Sequence, residues 1–320
     1  MATPEPARPN APETLAKAES TLRGVTLTLV SAFFAAVYFI PFKVASSMSS
    51  RGVVVLAVML VAAIANTLLT LRRQSERPRL NRITALSILV LGALTVTGNY
   101  CIANALVRVG AGATSVLLQT QLLVVALGGW LLLRERISRR YLVGAAIVVV
   151  GLVILERPGA SFQRVAFVGL LYAMGGTLSF AFMVLWTRYA IHSIQPVFVN
   201  AMRLWFAVTA LLCAPGVARA AVEMPSRVWL LCAAAAFAGP VISRLTNMYG
   251  LRDITASRAS LIGLSSPVVA FALDYLLLDA VPEPHQLVGA VVIIMGIGLP
   301  VMEMLGRREG PARARESAGA

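Results

Sequence analysis

The sequence predicts an all-α integral membrane protein with ten transmembrane helices, arranged as two inverted five-helix repeats. The first observation is composition, since 58% of the 320 residues are hydrophobic and 13% are charged. Soluble globular chains carry about 25% charged residues. A chain this apolar cannot cover itself with a polar surface, so lipid must be its solvent. The other two observations are an internal duplication and the distribution of basic residues between apolar stretches.

The duplication has a fixed spacing of 145 positions. Residues 131–151 recur at 276–296 without a gap and with eight identical positions. The segment Leu-Val-Gly-Ala at 142–145, for example, returns at 287–290. A repeat at one spacing indicates that a single structural unit is used twice in the chain.

Ten apolar stretches give each copy of this unit five helices. A helix needs about 17–25 residues to cross the hydrocarbon of a bilayer, and most of the stretches have that length. The fifth is short and is expected to extend at both ends. Because five is odd, the second copy must enter the membrane from the opposite side, as in inverted-repeat transporters. The expected spans are 24–42, 52–71, 83–105, 110–133, 142–155, 165–187, 197–213, 228–250, 257–278 and 285–305.

Basic residues favour one orientation of these helices. With a cytosolic N-terminus, the inner segments hold 19 Lys and Arg residues and the outer loops hold seven. The positive-inside rule therefore places both termini in the cytosol, and we expect the bacterial cytoplasmic (inner) membrane. The net charge of +14 does not indicate a nucleic-acid partner, because the charges lie in short runs between apolar stretches. The expected organisation is a disordered cytosolic tail at 1–23, one repeat at 24–155, its copy at 165–305 and a basic cytosolic tail at 306–320.

Small residues indicate where helices approach each other closely. Gly144 and Gly151 in the fifth span correspond to Gly289 and Gly296 in the tenth. Such residues let helix backbones pack against each other in membranes. We interpret them as packing positions without a role in transport.

Polar side chains within the spans are the candidates for a substrate site, because burying them in lipid is costly. Gln119 and Gln121 lie near the middle of the fourth span, and Ser265 and Ser266 lie at comparable depth in the ninth. Amides and hydroxyls at this depth suit a polar substrate, although hydrogen bonds between helices are an equally good interpretation. The candidate substrate-binding residues are Tyr38, Asn99, Tyr100, Gln119, Gln121, Arg244, Asn247, Ser265, Ser266 and Asp274.

Three charged residues lie inside spans and away from the last residues at either end. Arg244, in the eighth, is a candidate clamp for an anionic group of the substrate, and its repeat partner is Asn99. Arg203, in the seventh, is interpreted as a structural anchor or as a side chain that reaches the interface. Asp274 is the only acidic residue well inside a span. It is a protonatable coupling group, a contact for a substrate cation, or an acid near the interface.

Two further features concern the ends and bends of spans. Glu135 follows the fourth span between Arg134 and Arg136, and it is interpreted as part of a surface ion pair. Pro240 and Pro267 are expected to kink their helices and to free backbone carbonyls.

Motifs of enzymes and ATP-driven pumps are missing from the sequence. Neither of the two lysines belongs to a G-x-x-x-x-G-K-[ST] loop, and there is no H-E-x-x-H or G-x-S-x-G pattern. We therefore expect no enzyme activity, no cofactor and no metal site.

Three motifs of the first half carry a family resemblance. They are A-x-x-x-V-G-A-G-A-T-S at 105–115, LLLRERIS at 131–138 and Y-x-x-G at 141–144. This pattern resembles the EamA-type transporters of the drug/metabolite transporter superfamily. The resemblance covers about 24–305, and it implies ten helices, inverted repeats, a central cavity and outward movement of small metabolites. The two halves differ at Leu122 and Pro267, at Val58 and Arg203, and at Glu135 and Ala280, so the cavity need not be symmetric.

Together these features predict a secondary transporter that exports a small polar or amphipathic metabolite by alternating access. An amino acid or a related metabolite is the first expectation for the substrate, and a drug-like cation is the second. A non-transporting membrane scaffold or lipid-handling subunit is the alternative from another class. A channel is a third option, which the lack of a repeated filter-like loop disfavours. The expected partners are a small-molecule substrate and the lipid bilayer. Either a proton or nothing is coupled to transport, and the assembly is a monomer or a homodimer.

Overall fold

The computed structural model describes residues 11–72, 81–135, 137–156, 167–266, 268–269, 272–273, 276 and 284–306. Within these ranges, every regular element is a helix. The helices are α1 (Ala11–Met48), α2 (Arg51–Arg72), α3 (Arg82–Gln119), α4 (Gln121–Leu132), α5 (Arg139–Glu156), α6 (Phe167–Ala190), α7 (Pro196–Leu212), α8 (Val217–Val222), α9 (Ser226–Asp253), α10 (Ala256–Gly263) and α11 (Pro284–Gly306).

Five helices of the described chain are long and apolar enough to cross a membrane. Their candidate spans are Glu19–Ser46, Gly52–Arg72, Arg82–Ile102, Phe167–Ala190 and Ser226–Asp253. Shorter apolar helices cover Leu117–Leu132, Pro196–Leu212 and Leu287–Met302, at the predicted fourth, seventh and tenth spans. The predicted ninth span lies partly outside the described residues. The protein is therefore an all-helical integral membrane protein.

Local sequence sets several helix starts. The Asn81 side chain caps α3 by accepting a hydrogen bond of 2.7 Å from the Thr84 N–H. α7 begins at Pro196, where a missing N–H costs nothing. α5 extends beyond the predicted 142–155 at both ends, as expected.

Two expectations about helix boundaries differ from the structure. α1 begins at Ala11, before the first expected span at 24–42. α8 was not predicted from the sequence either. It follows Gly216, whose backbone is in the left-handed conformation (φ 78°). Gly216 adopts this conformation without strain because it has no Cβ atom.

The chain folds back on itself between the third and fourth predicted spans, although the backbone from Arg82 to Gln119 is helical. The chain first runs antiparallel to α6, and after that it runs parallel to the same helix. The contacts in chain order are Gly98 with Phe180, Ile102 with Gly176, Leu117 with Thr177, and Gly128 with Leu185. The expected third and fourth spans therefore both pack against α6.

α5 and α11 pack antiparallel through the glycines expected to mark close contacts, so that prediction is confirmed. A Cβ atom on Gly144 would lie 2.6 Å from the carbonyl oxygen of Gly296, and one on Gly151 would lie 3.1 Å from that of Gly289. The spacing of 145 converts one of these contacts into the other. The contact between the two helices is therefore internally two-fold, with each repeat supplying the same surface.

A second pair of contacts obeys the same relation. α1 packs against α9 as α6 packs against α3, and the repeat spacing exchanges Ser31 with Gly176 and Ser243 with Gly98. Ser31 and Ser243 have their hydroxyl oxygens 3.2 Å apart, whereas a Cβ atom on Gly176 would lie 3.5 Å from the Gly98 carbonyl oxygen. The repeats thus share their backbone arrangement and differ in the polar groups that they place on it.

Candidate functional site

The fourth helix of each repeat is interrupted at the same position. In the first half, α3 ends at Gln119 and α4 begins at Gln121, and the N–H of Thr120 donates to the Leu117 carbonyl at 3.1 Å. In the second half, α10 ends at Gly263, and the N–H of Ser265 donates to the Ile262 carbonyl at 3.0 Å. Thr120 and Ser265 are repeat partners. Both halves therefore build the same turn into a helix.

The polar residues expected at mid-membrane depth border these two turns. Gln119 and Gln121 flank the first, while Ser265 and Ser266 follow the second, and all four are half-buried. No hydrogen bond joins any of these four side chains to another group of the described chain. Leu122 and Leu264, beside the two turns, belong to one hydrophobic cluster. α4, which begins after the first turn, packs against α10, which ends before the second, and the turns leave hydroxyl and amide groups available to a ligand.

Arg203 is at the centre of a buried polar network. Its side chain is 4% exposed, so it does not reach the interface. Its Nε donates to Asn200 Oδ1 at 2.8 Å, and its Nη1 donates to Thr95 Oγ1 at 2.7 Å. Asn200 Nδ2 in turn donates to Asn66 Oδ1 at 3.0 Å and to the carbonyl oxygen of Pro240 at 2.9 Å. The network fixes Arg203 between α2, α3, α7 and α9.

Arg244 approaches the same part of α6 from α9. Its Nη2 donates to Thr187 Oγ1 at 3.1 Å, and its buried Nε has no hydrogen-bond partner. Nη1 of Arg203 lies 3.9 Å from the sulfur of Met183, which is one helical turn before Thr187. On α9 itself, the buried Oδ1 of Asn247 also has no partner. The two guanidinium groups therefore reach the same turn of α6, between Met183 and Thr187.

Among the described residues, neither arginine has a carboxylate partner. The ion pairs between described residues are Arg23 with Asp253, Arg188 with Glu135, and Arg219 with Glu223. Arginine stays protonated in proteins, so both groups carry charge inside the protein. An uncompensated charge at membrane depth is costly. The arrangement is suited to holding an anionic group.

α9 changes its winding where Pro240 was expected to kink it. Residues Phe237–Ser243 form a π-helical segment that contains this proline. The ring of Tyr38 packs against the segment, since a Cβ atom on Gly239 would lie 2.6 Å from Tyr38 Cδ2. π-turns often occur at functional sites because they leave carbonyl groups without their regular helical partner. Here the Pro240 carbonyl accepts the Asn200 amide.

The remaining predicted site residues have different surroundings. Asn99 is half-buried, and its Nδ2 donates to the carbonyl oxygen of Thr95, whose hydroxyl oxygen accepts the hydrogen bond from Arg203. Tyr100 is 61% exposed, and its ring lies 6.2 Å from that of Tyr172. Asp274 lies outside the described residues, as does Pro267. The structure therefore brings Asn99 to the edge of the arginine network and leaves Tyr100 on the surface.

The sequence profile of the EamA-like transporter family matches residues 22–157 and again residues 167–302. Both ends of the match move by the repeat spacing of 145. This chain belongs to the EamA-like transporter family. It is a membrane transporter of the drug/metabolite type.

Comparison with solved structures shows that the fold is shared with proteins of known structure. Twenty-nine chains of solved structures match. One of them, titled only as the crystal structure of a protein, has a TM-score of 0.69 and 17% sequence identity. The alignment covers 91% of the EamA chain and 99% of the other chain. At this identity the likeness concerns the fold alone. No curated protein matches the sequence.

In the EamA structure Glu135 is not part of a surface ion pair, and that interpretation was wrong. Its side chain is 7% exposed and caps the N-terminus of α10. The carboxylate accepts hydrogen bonds from the N–H groups of Ala256 at 2.8 Å and Ser257 at 3.2 Å, and from the Ser257 hydroxyl at 2.7 Å. Arg188 Nε lies 4.0 Å from the same carboxylate. A link of this kind between the two repeats has no signature in sequence spacing.

The buried amides of the Arg203 network were not predicted from the sequence either. Asn66 and Asn200 are both fully buried within apolar helices. The signal that was available is the cost of placing an amide in such a helix, which applies to them as it does to Gln119 and Gln121.

Proposed function

We propose that this protein is a secondary transporter that exports a small polar metabolite, with an amino acid or a related compound as the first expectation. The duplicated helix turn bordered by Gln119, Gln121, Ser265 and Ser266 is the observation that carries the proposal. In inverted-repeat transporters, broken helices form the substrate site near the middle of the membrane. The two arginines disfavour the drug-like cation, because like charges repel.

The proposal includes ten spans in two repeats of opposite orientation. The antiparallel, two-fold contact between α5 and α11 supports it, because these are the fifth helices of the two repeats. Contacts between the ends of helices support the opposite orientation as well. The helix ends expected on the cytosolic side are joined by the Arg23–Asp253 and Arg188–Glu135 ion pairs. On the side expected to be external, Gly52 faces Val217 with 3.7 Å between an added Cβ and the Val217 side chain.

Alternating access requires that one end of the protein opens while the other closes. Glu135 joins the end of α4 to the start of α10 on the side expected to face the cytosol. The repeat partner of Glu135 is Ala280, which cannot make such a contact. We propose that the Glu135 contact holds the cytosolic end closed, and that the other end uses a different closure. Coupling to protons through Asp274 stays a prediction.

The orientation of the repeats is tested with reporter tags. Lys43 and Arg188 are repeat partners that lie near the end of the first helix of each half. In an inverted repeat, tags placed directly after these two helices report opposite sides of the membrane, with the Arg188 end in the cytosol. Alkaline phosphatase and green fluorescent protein fusions measure this directly. Tags on the same side would contradict the proposal.

The transport function is tested by counterflow in proteoliposomes with a mixture of radiolabelled L-amino acids. Saturable counterflow is expected, and the variant Gln119→Leu/Gln121→Leu should raise its half-saturation concentration about 10- to 100-fold, as expected for two lost hydrogen bonds. Thr97→Val is the control, because Thr97 is exposed on α3. A scaffold or lipid-handling subunit gives no saturable flux, and a channel gives flux without counterflow.

A further inference from the structure

Arg203 is buried and Arg244 is half-buried, and together they carry more positive charge into the protein than the described residues compensate. Arg203 and Arg244 reach α6 at Met183 and Thr187, and the Thr187 hydroxyl donates to the Met183 carbonyl at 2.6 Å. Their nearest partners are neutral hydroxyl, amide and thioether groups. Two like charges in such surroundings repel each other and gain from an anion placed between them.

Both guanidinium groups also keep donors free for such an anion. Arg203 uses Nε and Nη1 in its hydrogen bonds, so Nη2 makes none within the described chain. Arg244 uses Nη2 on Thr187, and its buried Nε is without a partner. A planar oxyanion with two acceptor atoms fits donors of this kind, because guanidinium and carboxylate groups match in geometry.

Asn247 adds a hydrogen-bond acceptor, whereas the two arginines offer donors. Its Oδ1 is buried without a hydrogen-bond partner, and it lies three residues after Arg244 on α9. Residues three apart on a helix lie on the same face, with about 5–6 Å between their Cβ atoms. An acceptor cannot bind an anion. It can bind an N–H or O–H group attached next to the carboxylate of the same molecule.

We propose that Arg203 and Arg244 bind the carboxylate of an α-amino or α-hydroxy acid, and that Asn247 accepts a hydrogen bond from its α-substituent. This inference rests on the proposed function and specifies the substrate class of that transporter. It excludes amines and other cations that lack a carboxylate.

Thermal stability of the purified full-length protein in detergent tests this with matched probes. L-Phenylalanine and L-phenyllactate should raise the unfolding midpoint in a concentration-dependent way, because a ligand that binds only the folded state stabilises it. L-Phenylalaninamide and phenethylamine should not. The alanine series of L-alanine, L-lactate, L-alaninamide and ethylamine repeats the comparison with a small side chain. Equal shifts from the amides or amines, or no shift from any carboxylate, would overturn the proposal. So would an equal shift from inorganic phosphate, which would indicate a general anion site.

In the variant Arg244→Gln, the carboxylate concentration that gives half of the maximal shift in the unfolding midpoint should rise about 10- to 100-fold. This is the change expected for one lost charge-assisted hydrogen bond. The ligand-free stability of the variant should stay at the wild-type value, because Arg244 makes one hydrogen bond of modest strength within the described chain, to Thr187. Arg227→Gln is the matched control, since Arg227 is exposed on the first turn of the same helix. Loss of ligand-free stability in Arg244→Gln alone would indicate a structural partner for Arg244 and overturn the proposal.

Counterflow separates failure of this inference from failure of the transport function. Saturable counterflow of a substrate without a carboxylate, together with no stabilisation by the acids, leaves the transporter in place and removes the carboxylate site. The absence of counterflow with any solute removes both.

Discussion

Gly296→Ala is expected to destabilise the protein by about 3 kcal/mol, at the upper end of the usual range for overpacking. A Cβ atom on Gly296 would lie 2.8 Å from the Gly144 carbonyl oxygen and 2.9 Å from the backbone nitrogen of Val148. Backbone atoms cannot move aside as a flexible side chain can, so α5 and α11 must separate. Unfolding by heat or by denaturing detergent measures the loss.

Gly298→Ala is the control for this change. It lies two residues further along α11, and a Cβ atom there would have nothing within 4 Å. Because alanine favours a helix over glycine by about 0.5–1 kcal/mol, this variant should be as stable as the wild type or slightly more so. Equal stabilities for the two variants would show that the α5–α11 contact is not closely packed.

The glycine contact was accessible from sequence because the repeat shows each glycine twice. Gly144 and Gly151 were identified as packing positions, and their copies Gly289 and Gly296 are their actual partners. The lengths of the apolar stretches also located most helix boundaries to within a few residues. The extension of α1 back to Ala11 was not predicted, since residues 1–23 are polar and rich in alanine and proline.

Glu135→Gln is expected to cost about 3 kcal/mol of stability, in the range for removing one partner of a buried charged contact. Glutamine keeps the shape of glutamate, but its NH₂ group can accept no hydrogen bond. It cannot satisfy the N–H groups of Ala256 and Ser257 together. The variant also leaves Arg188 without its charged neighbour. Thermal unfolding of the purified protein measures the difference.

Glu223→Gln is the matched control for Glu135→Gln. Glu223 pairs with Arg219 at 3.0 Å, but their side chains are 63% and 86% exposed. Exposed ion pairs contribute at most about 1 kcal/mol, so this variant should be close to wild type. If both glutamines had the same small effect, the Glu135 contact would be no stronger than a surface pair.

The surroundings of two charged residues, Glu135 and Arg203, could not be predicted from the sequence for one physical reason. Glu135 lies between Arg134 and Arg136 in sequence, which favours a solvated ion pair, yet its side chain points to a helix from the other repeat. Arg203 was interpreted as an anchor, and its partners Thr95, Asn200 and Met183 come from three helices. Contacts between distant segments decide burial here, and a single sequence records no such contacts. The polar residues around the duplicated turn were found because each was costly in its own helix.

The two-fold contact between α5 and α11 has a consequence for how such a chain could arise. An interface that maps onto itself needs only one kind of surface, and a half-length polypeptide already carries it. Two unlinked copies with opposite orientations would meet through the same four glycines. Fusion into one chain then lets each copy diverge. A single half can acquire the arginines while the contact between α5 and α11 stays unchanged.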